Sequence, residues 1–368
     1  MSGLPTVDTE VAYNIGQWQL IWIRFKKHRL AMTGGIVILA FYFVAIFAEF
    51  FAPYDPFFRD PVRVQGPPMR IRLRDQNGGF HLPFVYELNK KRDMRTLDVI
   101  YTADKNKRLP LLLFVRGDSY RFWGVWETNL HLFGTPEGGR AYLLGGDVQG
   151  RDLLSRIVHG TRVSLSIGLL GVATSFVLGI IFGAISGYLG GVADLIIQRI
   201  IEIFISIPSL PLWMALGASI PLDWSVYEVF FAMSVILSLM SWPGLAREVR
   251  GKLLSLREEE FVIAAKLDGC GDGRIMFRHL IPSFLSHIIA SGTLAIPGMI
   301  IGETSLSFLG LGLQAPAISW GVLLKATQNI KAVISIPWLL LPAVFVVITV
   351  LAFSAFGDGL RDAADPYG

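Results

Sequence analysis

Six stretches of the chain are apolar over about the length that a helix needs to cross a ~30 Å hydrocarbon layer, roughly 20 residues. They cover residues 30–52, 163–187, 203–222, 226–246, 281–302 and 336–356. The second carries no charged residue, the first only Glu49 near its far end, and the fourth only Glu228 near its start. The pattern predicts an all-α membrane protein of about six transmembrane helices. The third and fourth stretches lie so close that a tight turn near residues 221–225 must join them. Pro208, Pro211, Pro243, Pro297, Pro337 and Pro342 interrupt several stretches. In lipid the backbone groups freed by proline must be satisfied by neighbouring helices, so the expectation is a packed bundle with broken helices. Gly179, Gly183 and Gly187 recur every four residues on one face of the second stretch. Small residues at this spacing let another helix approach closely, and a substrate-facing role is the alternative.

Composition supports the bilayer. Hydrophobic residues make up 52% of the 368 and charged residues only 17%, against roughly 25% in a soluble domain. In water such a chain would expose large apolar patches. A net charge of +4 gives no basis for nucleic-acid binding. The single cysteine, Cys270, excludes an intramolecular disulfide and a cysteine metal cluster. The first 18 residues have no basic segment ahead of an apolar core, so no cleaved signal peptide is expected there.

Charge sets an expected orientation. Arg24, Lys26, Lys27 and Arg29 precede the first stretch, and Arg247, Arg250, Lys252, Arg257, Lys266, Arg274 and Arg278 lie between the fourth and fifth. An even number of crossings separates the two clusters, so both can be cytoplasmic, as the positive-inside rule prefers. The expected organisation is a cytoplasmic segment 1–29, a first helix 30–52, a large extracytoplasmic insertion 53–162, a core of five helices 163–357 with a cytoplasmic connection 247–282, and a cytoplasmic tail 358–368. The insertion is mixed in charge, which long translocated loops tolerate. Its short apolar runs at 111–115 and 122–126 predict a small folded unit with strands, not a disordered linker.

No phosphate-binding loop or H-E-x-x-H motif occurs, and no serine, histidine and acid are grouped for hydrolysis. Gly310-Leu311-Gly312 lacks the third glycine and the preceding strand of a dinucleotide fingerprint. No catalytic residue and no metal site is expected. The informative segment is 247–282. Glu258, Glu259 and Glu260 precede an apolar run, as suits a helix N-terminus. Asp268, Gly269, Cys270 and Gly271 signal a turn, and residues 272–279 offer a second helix before Ile281-Pro282. The result is a short helix–turn–helix elbow carrying small residues, Ala264, Ala265 and Gly269, on a charged connection. Glu303, Thr304 and Ser305 fall at the outer end of the fifth stretch. Solvation of a helix end is the plainer expectation; the alternative has Glu303, Ser305 and Ser307 lining a path through the membrane.

Ala264-Ala265, Gly269 and Pro282 resemble the Glu-Ala-Ala coupling loop of bacterial ABC-importer permeases, with Ile263 standing where that family usually has glutamate. Leu144-Gly145-Gly146-Asp147-Val148-Gln149-Gly150-Arg151-Asp152-Leu153-Leu154-Ser155-Arg156 is similar to a motif of the dipeptide/oligopeptide branch. So are Gly187-Tyr188-Leu189-Gly190-Gly191-Val192-Ala193-Asp194, Leu306-Ser307-Phe308-Leu309-Gly310-Leu311-Gly312 and Gly357-Asp358-Gly359-Leu360-Arg361-Asp362. The resemblance covers the chain from about Leu144 onward, together with the first helix and its Ala52-Pro53-Tyr54-Asp55 exit.

It implies an inner-membrane permease subunit of an ATP-driven importer. Its partners would be a second permease subunit, two cytoplasmic ATPase subunits that carry the ATP and magnesium, and an extracytoplasmic solute-binding protein. The chain itself would bind no cofactor and catalyse nothing. Ala264, Ala265, Gly269 and Pro282 would form the ATPase contact. Peptides are the implied substrate, with oligosaccharides, opines or other small solutes as the alternative. A channel or secondary transporter would instead need internal repeats or intramembrane ion sites.

Overall fold

The structure, a computed structural model, describes residues 16–92, 94, 99–136, 139–221 and 223–364. Parts of the expected N-terminal segment, insertion, 221–225 turn and tail lie outside the described residues. Helix α1 (Gln17–Lys27) leads through His28 into α2 (Arg29–Ile46), and a break at Phe47 separates the short α3 (Ala48–Phe51). The first apolar stretch therefore ends its continuous helix at Ile46, ahead of residue 52.

A β region follows. Strands β1 (Arg72–Arg74), β2 (Phe80–Arg92) and β3 (Val99–Pro110) form an antiparallel sheet in that order. Among the described residues, strand β4 (Leu112–Phe122) pairs with β5 (Trp126–Gly134) alone. The strands are mostly exposed. A small core of Tyr54, Met69, Val85, Ala141 and Tyr142 ties the first sheet to the segments that flank it.

Helix α4 (Leu153–Leu189) starts well ahead of its apolar stretch. Asp152 caps it by accepting the Ser155 N–H at 2.8 Å and the Ser155 hydroxyl at 2.6 Å. Its 37 residues span about 55 Å at 1.5 Å per residue, more than a bilayer core, so one end stands clear of the apolar layer.

The third stretch is not a single straight helix. Helices α5 (Gly191–Ser206) and α6 (Ser209–Ala218) meet at 86°. Proline disfavours helical backbone in the residue before it. Ile207, which precedes Pro208, is extended, with φ −89° and ψ 126°. The break thus falls inside residues 203–222, and the first part of that stretch belongs to a helix reaching back to Gly191.

Helix α7 (Val226–Leu256) continues past residue 246. The elbow follows, with α8 (Glu260–Leu267), α9 (Asp272–Arg274), a π turn at Ile275–Leu280 and α10 (Ile281–Ser283). Helix α11 (Leu285–Leu309) lies later in the chain than the predicted 281–302, because Phe284 breaks the helix behind Pro282. After α12 (Trp320–Leu324) and α13 (Ile330–Ser335), a 3-10 turn at Pro337–Leu340 enters α14 (Leu341–Ala364). The expected tail therefore begins as helix, and Ala363 packs against Ile21, Phe25 and Ala31. Among the described residues, five helices are long and apolar enough to span a membrane, or six if the bent pair α5–α6 counts as one span.

The central core gathers α2, α4, α7, α11, α12 and α14. Trp320 is fully buried there. Its ring centroid lies 6.3 Å from those of both Phe41 and Phe345, and its indole N–H donates to the Ile157 carbonyl at 3.2 Å. The glycine stripe of α4 has a packing role. Gly179 meets Leu245, Gly183 meets Ala246 and Val249, and Gly187 meets Arg250 and Leu253, all on α7. A Cβ on Gly183 would stand 2.6 Å from the Ala246 carbonyl oxygen, which belongs to backbone and cannot swing aside. Gly183→Leu should therefore separate α4 from α7 at a cost of about 1–3 kcal/mol or more. A lower unfolding temperature in detergent, absent in Gly298→Leu where a Cβ meets nothing within 4 Å, checks this.

Candidate coupling elbow and its anchors

Helix α8 begins after Glu259, whose backbone is extended, with Glu260 in its first turn near the positive end of the helix dipole. It stops in a Schellman turn. The Gly269 N–H donates to the Lys266 carbonyl and the Cys270 N–H to the Ala265 carbonyl, each at 3.0 Å. Gly269 has φ +75°, a left-handed conformation that glycine adopts without penalty. The second limb bends through the π turn, where the Ile281 N–H reaches the Met276 carbonyl. Pro282 has no N–H to continue the ladder; it sits exposed in α10.

The elbow has two faces. Val262 and Ala265, three residues apart on one side of α8, turn inward. They pack with Ile275, Leu280, Leu253 and Tyr188 in a cluster of their own. Of the sequence-predicted contact residues, Ala265 is thus part of this inner core. Ala264 and Gly269 are exposed. Beside them lie Phe261, Ile263 and Phe277, each about half exposed, and Leu267, 83% exposed. Ile263 and Leu267 are one helical turn apart. They give the elbow an apolar outward face that sequence reasoning missed.

Four side-chain contacts fix the elbow and its base to the bundle. The Tyr188 hydroxyl at the end of α4 donates to Asp272 at 2.9 Å. The Lys266 ammonium lies 5.4 Å from the centre of the same ring. Arg250 of α7 grips Asp194 of α5 with two hydrogen bonds, 2.6 and 2.7 Å, and the Ser186 hydroxyl donates to the same carboxylate. Because the Arg250 and Asp194 side chains are 31% and 21% exposed, solvent screens the pair, and Arg250→Ala should cost about 1 kcal/mol. The expected readout is faster amide exchange across residues 186–200, with α11 unchanged.

A second cluster surrounds Glu303. Its side chain is completely buried, so helix-end solvation does not describe it. The hydroxyls of Ser319 (2.7 Å), Ser307 (2.8 Å) and Ser164 (3.3 Å) donate to its carboxyl oxygens. Those serines in turn accept backbone N–H groups of Val322, Leu313 and Trp320. One carboxyl thus pins the loop 310–320 between α11 and α4. Glu303 and Ser307 are hydrogen-bonded to each other and buried within the chain, while Ser305 is half-buried.

The Leu144-to-Arg156 motif builds the entry to α4. Asp147 accepts the N–H groups of Gln149 (2.8 Å) and Arg151 (2.9 Å) and the Arg151 side chain (2.7 Å).

Residues 179–367, from the glycine stripe through the elbow to the end of α14, match the family described as binding-protein-dependent transport system inner membrane component. The chain belongs to this family. Residues 16–68 also match the N-terminal transmembrane domain of oligopeptide transport permease C. The chain is 42% identical over 229 residues to the oligopeptide transport system permease protein OppC of Haemophilus influenzae, covering 61% of this chain and 70% of that one. It is 29% identical to OppC of Bacillus subtilis over 96% of this chain and 90% of that one. It is 31% identical to the dipeptide transport system permease protein DppC of Bacillus subtilis, over 94% and 84%. The chain is therefore a multi-pass inner-membrane permease subunit of an ABC importer, not an enzyme; ATP hydrolysis belongs to separate subunits.

Proposed function

We propose that this permease forms half of the translocation pathway for di- and oligopeptides and that its elbow is the point where the ATPase engages it. The observation carrying the second half is the elbow's outward face. Ile263, Ala264 and Leu267 stand exposed on a helix whose other side is locked by Val262 and Ala265 into the bundle. A rigid element with an apolar outer face suits a groove on a partner. Its attachment through Tyr188, Asp194 and Arg250 offers a mechanical route into α4, α5 and α7. Peptide as substrate is supported by the oligopeptide and dipeptide permeases named above.

In this arrangement the basic segments ahead of α2 and around the elbow face the cytoplasm, with both termini. The β region between α2 and α4 faces outward, where a solute-binding protein delivers its cargo. A second permease subunit completes the path, and two ATPases supply ATP and magnesium chemistry beneath it. Ala264, Gly269 and the exposed Pro282 lie on or beside the docking face, while Ala265 supports it from within. Ser305, half-buried on α11, is the residue of its neighbourhood best placed to reach the path after a conformational change.

The test is reconstitution of the permease pair, ATPases and binding protein in proteoliposomes. ATP-dependent uptake of labelled di- and tetrapeptides, with no uptake of a malto-oligosaccharide or an opine, is expected. Uptake that persists without ATP or without the ATPases would contradict the proposal.

A further inference from the structure

The β4–β5 hairpin ends in a turn whose sequence is unfavourable for its backbone. Within residues 122–125, Trp123 and Gly124 have φ +51° and +74°, and the Val125 N–H closes the turn on the Phe122 carbonyl at 3.0 Å. Hairpin turns with both central residues at positive φ favour Asn-Gly. A bulky aromatic in the left-handed region is an outlier, so Trp123 is held there by what its side chain reaches.

That side chain reaches the end of a membrane span. The indole N–H of Trp123 donates to the carbonyl of Ile46, the last residue of α2, at 3.1 Å. Phe122 stacks on Phe47 at 5.6 Å. The Arg162 guanidinium lies 4.9 Å from the Trp123 ring centre. Arg162 also pairs with Glu49 through two 2.6 Å contacts and caps the Ala45 carbonyl at 2.8 Å. An ion pair and helix-end carbonyls capped by an arginine and a tryptophan side chain at one level suit the boundary of the hydrocarbon layer.

The apolar surface continues across this boundary. Ile36, Leu39, Phe43 and Ile46 form an exposed stripe along α2, and Trp123, Val125 and Trp126, 58%, 74% and 73% exposed, extend it on the hairpin tip. Arg121 and Glu127, an exposed pair 3.9 Å apart, flank the tip. Tryptophan with charged neighbours at the end of a lipid-facing stripe is the composition of the membrane–water interface.

We infer that the β4–β5 tip is an interfacial anchor, with Trp123, Val125 and Trp126 seated in the headgroup boundary of the leaflet at the Ile46 end of α2 and phospholipid as their partner. This rests on α2 as a membrane span. It sets the height of the β region relative to the bundle independently of what the importer carries.

A fluorophore that reports polarity, attached at Val125→Cys in a Cys270→Ser chain within the assembled transporter in nanodiscs, tests this. The label should emit at shorter wavelength than one on the exposed Asn106→Cys. It should lose most of its emission to lipids bearing a doxyl group near the headgroup end of the acyl chain, and little to aqueous iodide. Adding Trp123→Asn keeps a residue the turn prefers but removes the anchor, and should make the label accessible to iodide. Quenching by iodide and not by doxyl in the parent chain would overturn the inference. So would a label blind to both, which would place the second permease or the binding protein over the tip.

Discussion

A chain carrying Gly269→Asp is expected to insert normally and to lose its ATPase on purification. Position 269 needs φ +75°. Aspartate tolerates the left-handed region better than most residues, so the turn is strained by about 1–2 kcal/mol at most and the elbow survives. The new carboxylate projects into open space, since nothing lies within 4 Å of a Cβ there. On the proposed docking face it would meet the partner, not the permease. Leu267→Asp removes the residual ambiguity of strain, because Leu267 is helical and 83% exposed. Loss of an apolar anchor in an interface costs about 2 kcal/mol or more, roughly 30-fold in affinity. Burying a carboxylate there adds to this. Val262→Asp, by contrast, should unfold the elbow itself, since Val262 is fully buried. ATPase retention on affinity-purified permease, beside a protease-protection check of insertion, reads all three.

Glu303→Ala should produce the largest loss of order at the opposite end of α11. The substitution leaves three serine hydroxyls without their acceptor. Ser307 and Ser164 lie within helices and can turn to a carbonyl of the preceding turn. Ser319 caps α12 from a loop and has no such carbonyl. A buried polar group stranded in this way costs about 1–3 kcal/mol, and the loop 310–320 is the part free to move. Proteolysis within that loop should rise sharply in the alanine variant. Glu303→Gln keeps one acceptor oxygen and should fall between alanine and the parent. Equal behaviour of the three chains would show that the carboxyl does not hold the loop.

The apolar stretches were legible because lipid imposes a length on them, whatever their sequence. Their ends were not. Helix α4 runs ahead of Arg162 on the strength of the Asp152 cap and the hydrogen bonds of Ser155 and Arg156 to Tyr54 and Pro56, neither of which has a hydropathy signature. The third stretch misled because an unbroken apolar run carries no sign of direction; Pro208 was visible, but the 86° bend follows from how α5 lies against α7 through Trp242 and Ile201. The packing role of Gly183 was legible from spacing alone.

At the elbow, the turn at Gly269 and both limbs were legible. Which side of α8 faces out was not, since Phe261, Val262, Ile263 and Ala264 are consecutive and nonpolar, and the helix's two charged residues, Glu260 and Lys266, lie at its two ends and on different sides. The three-residue spacing of Val262 and Ala265 is the signal that assigns the inner side, once Ile275 and Leu280 are known to lie beneath. From the sequence Glu303 falls at a helix end, because the apolar stretch 281–302 is by itself long enough to complete a span. The serine four residues on, at 307, was the available hint of an internal partner.

The most direct measurement of the elbow's role is cysteine cross-linking at Leu267→Cys in a Cys270→Ser chain, with the ATPase carrying single cysteines along its candidate groove. A short bifunctional thiol reagent should join permease to ATPase in membranes, and the yield should change on adding a non-hydrolysable nucleotide. Parallel cysteines at Asn106 or Val125 should give no ATPase adduct. Absence of any adduct from position 267, with the transporter intact and active, would contradict the account.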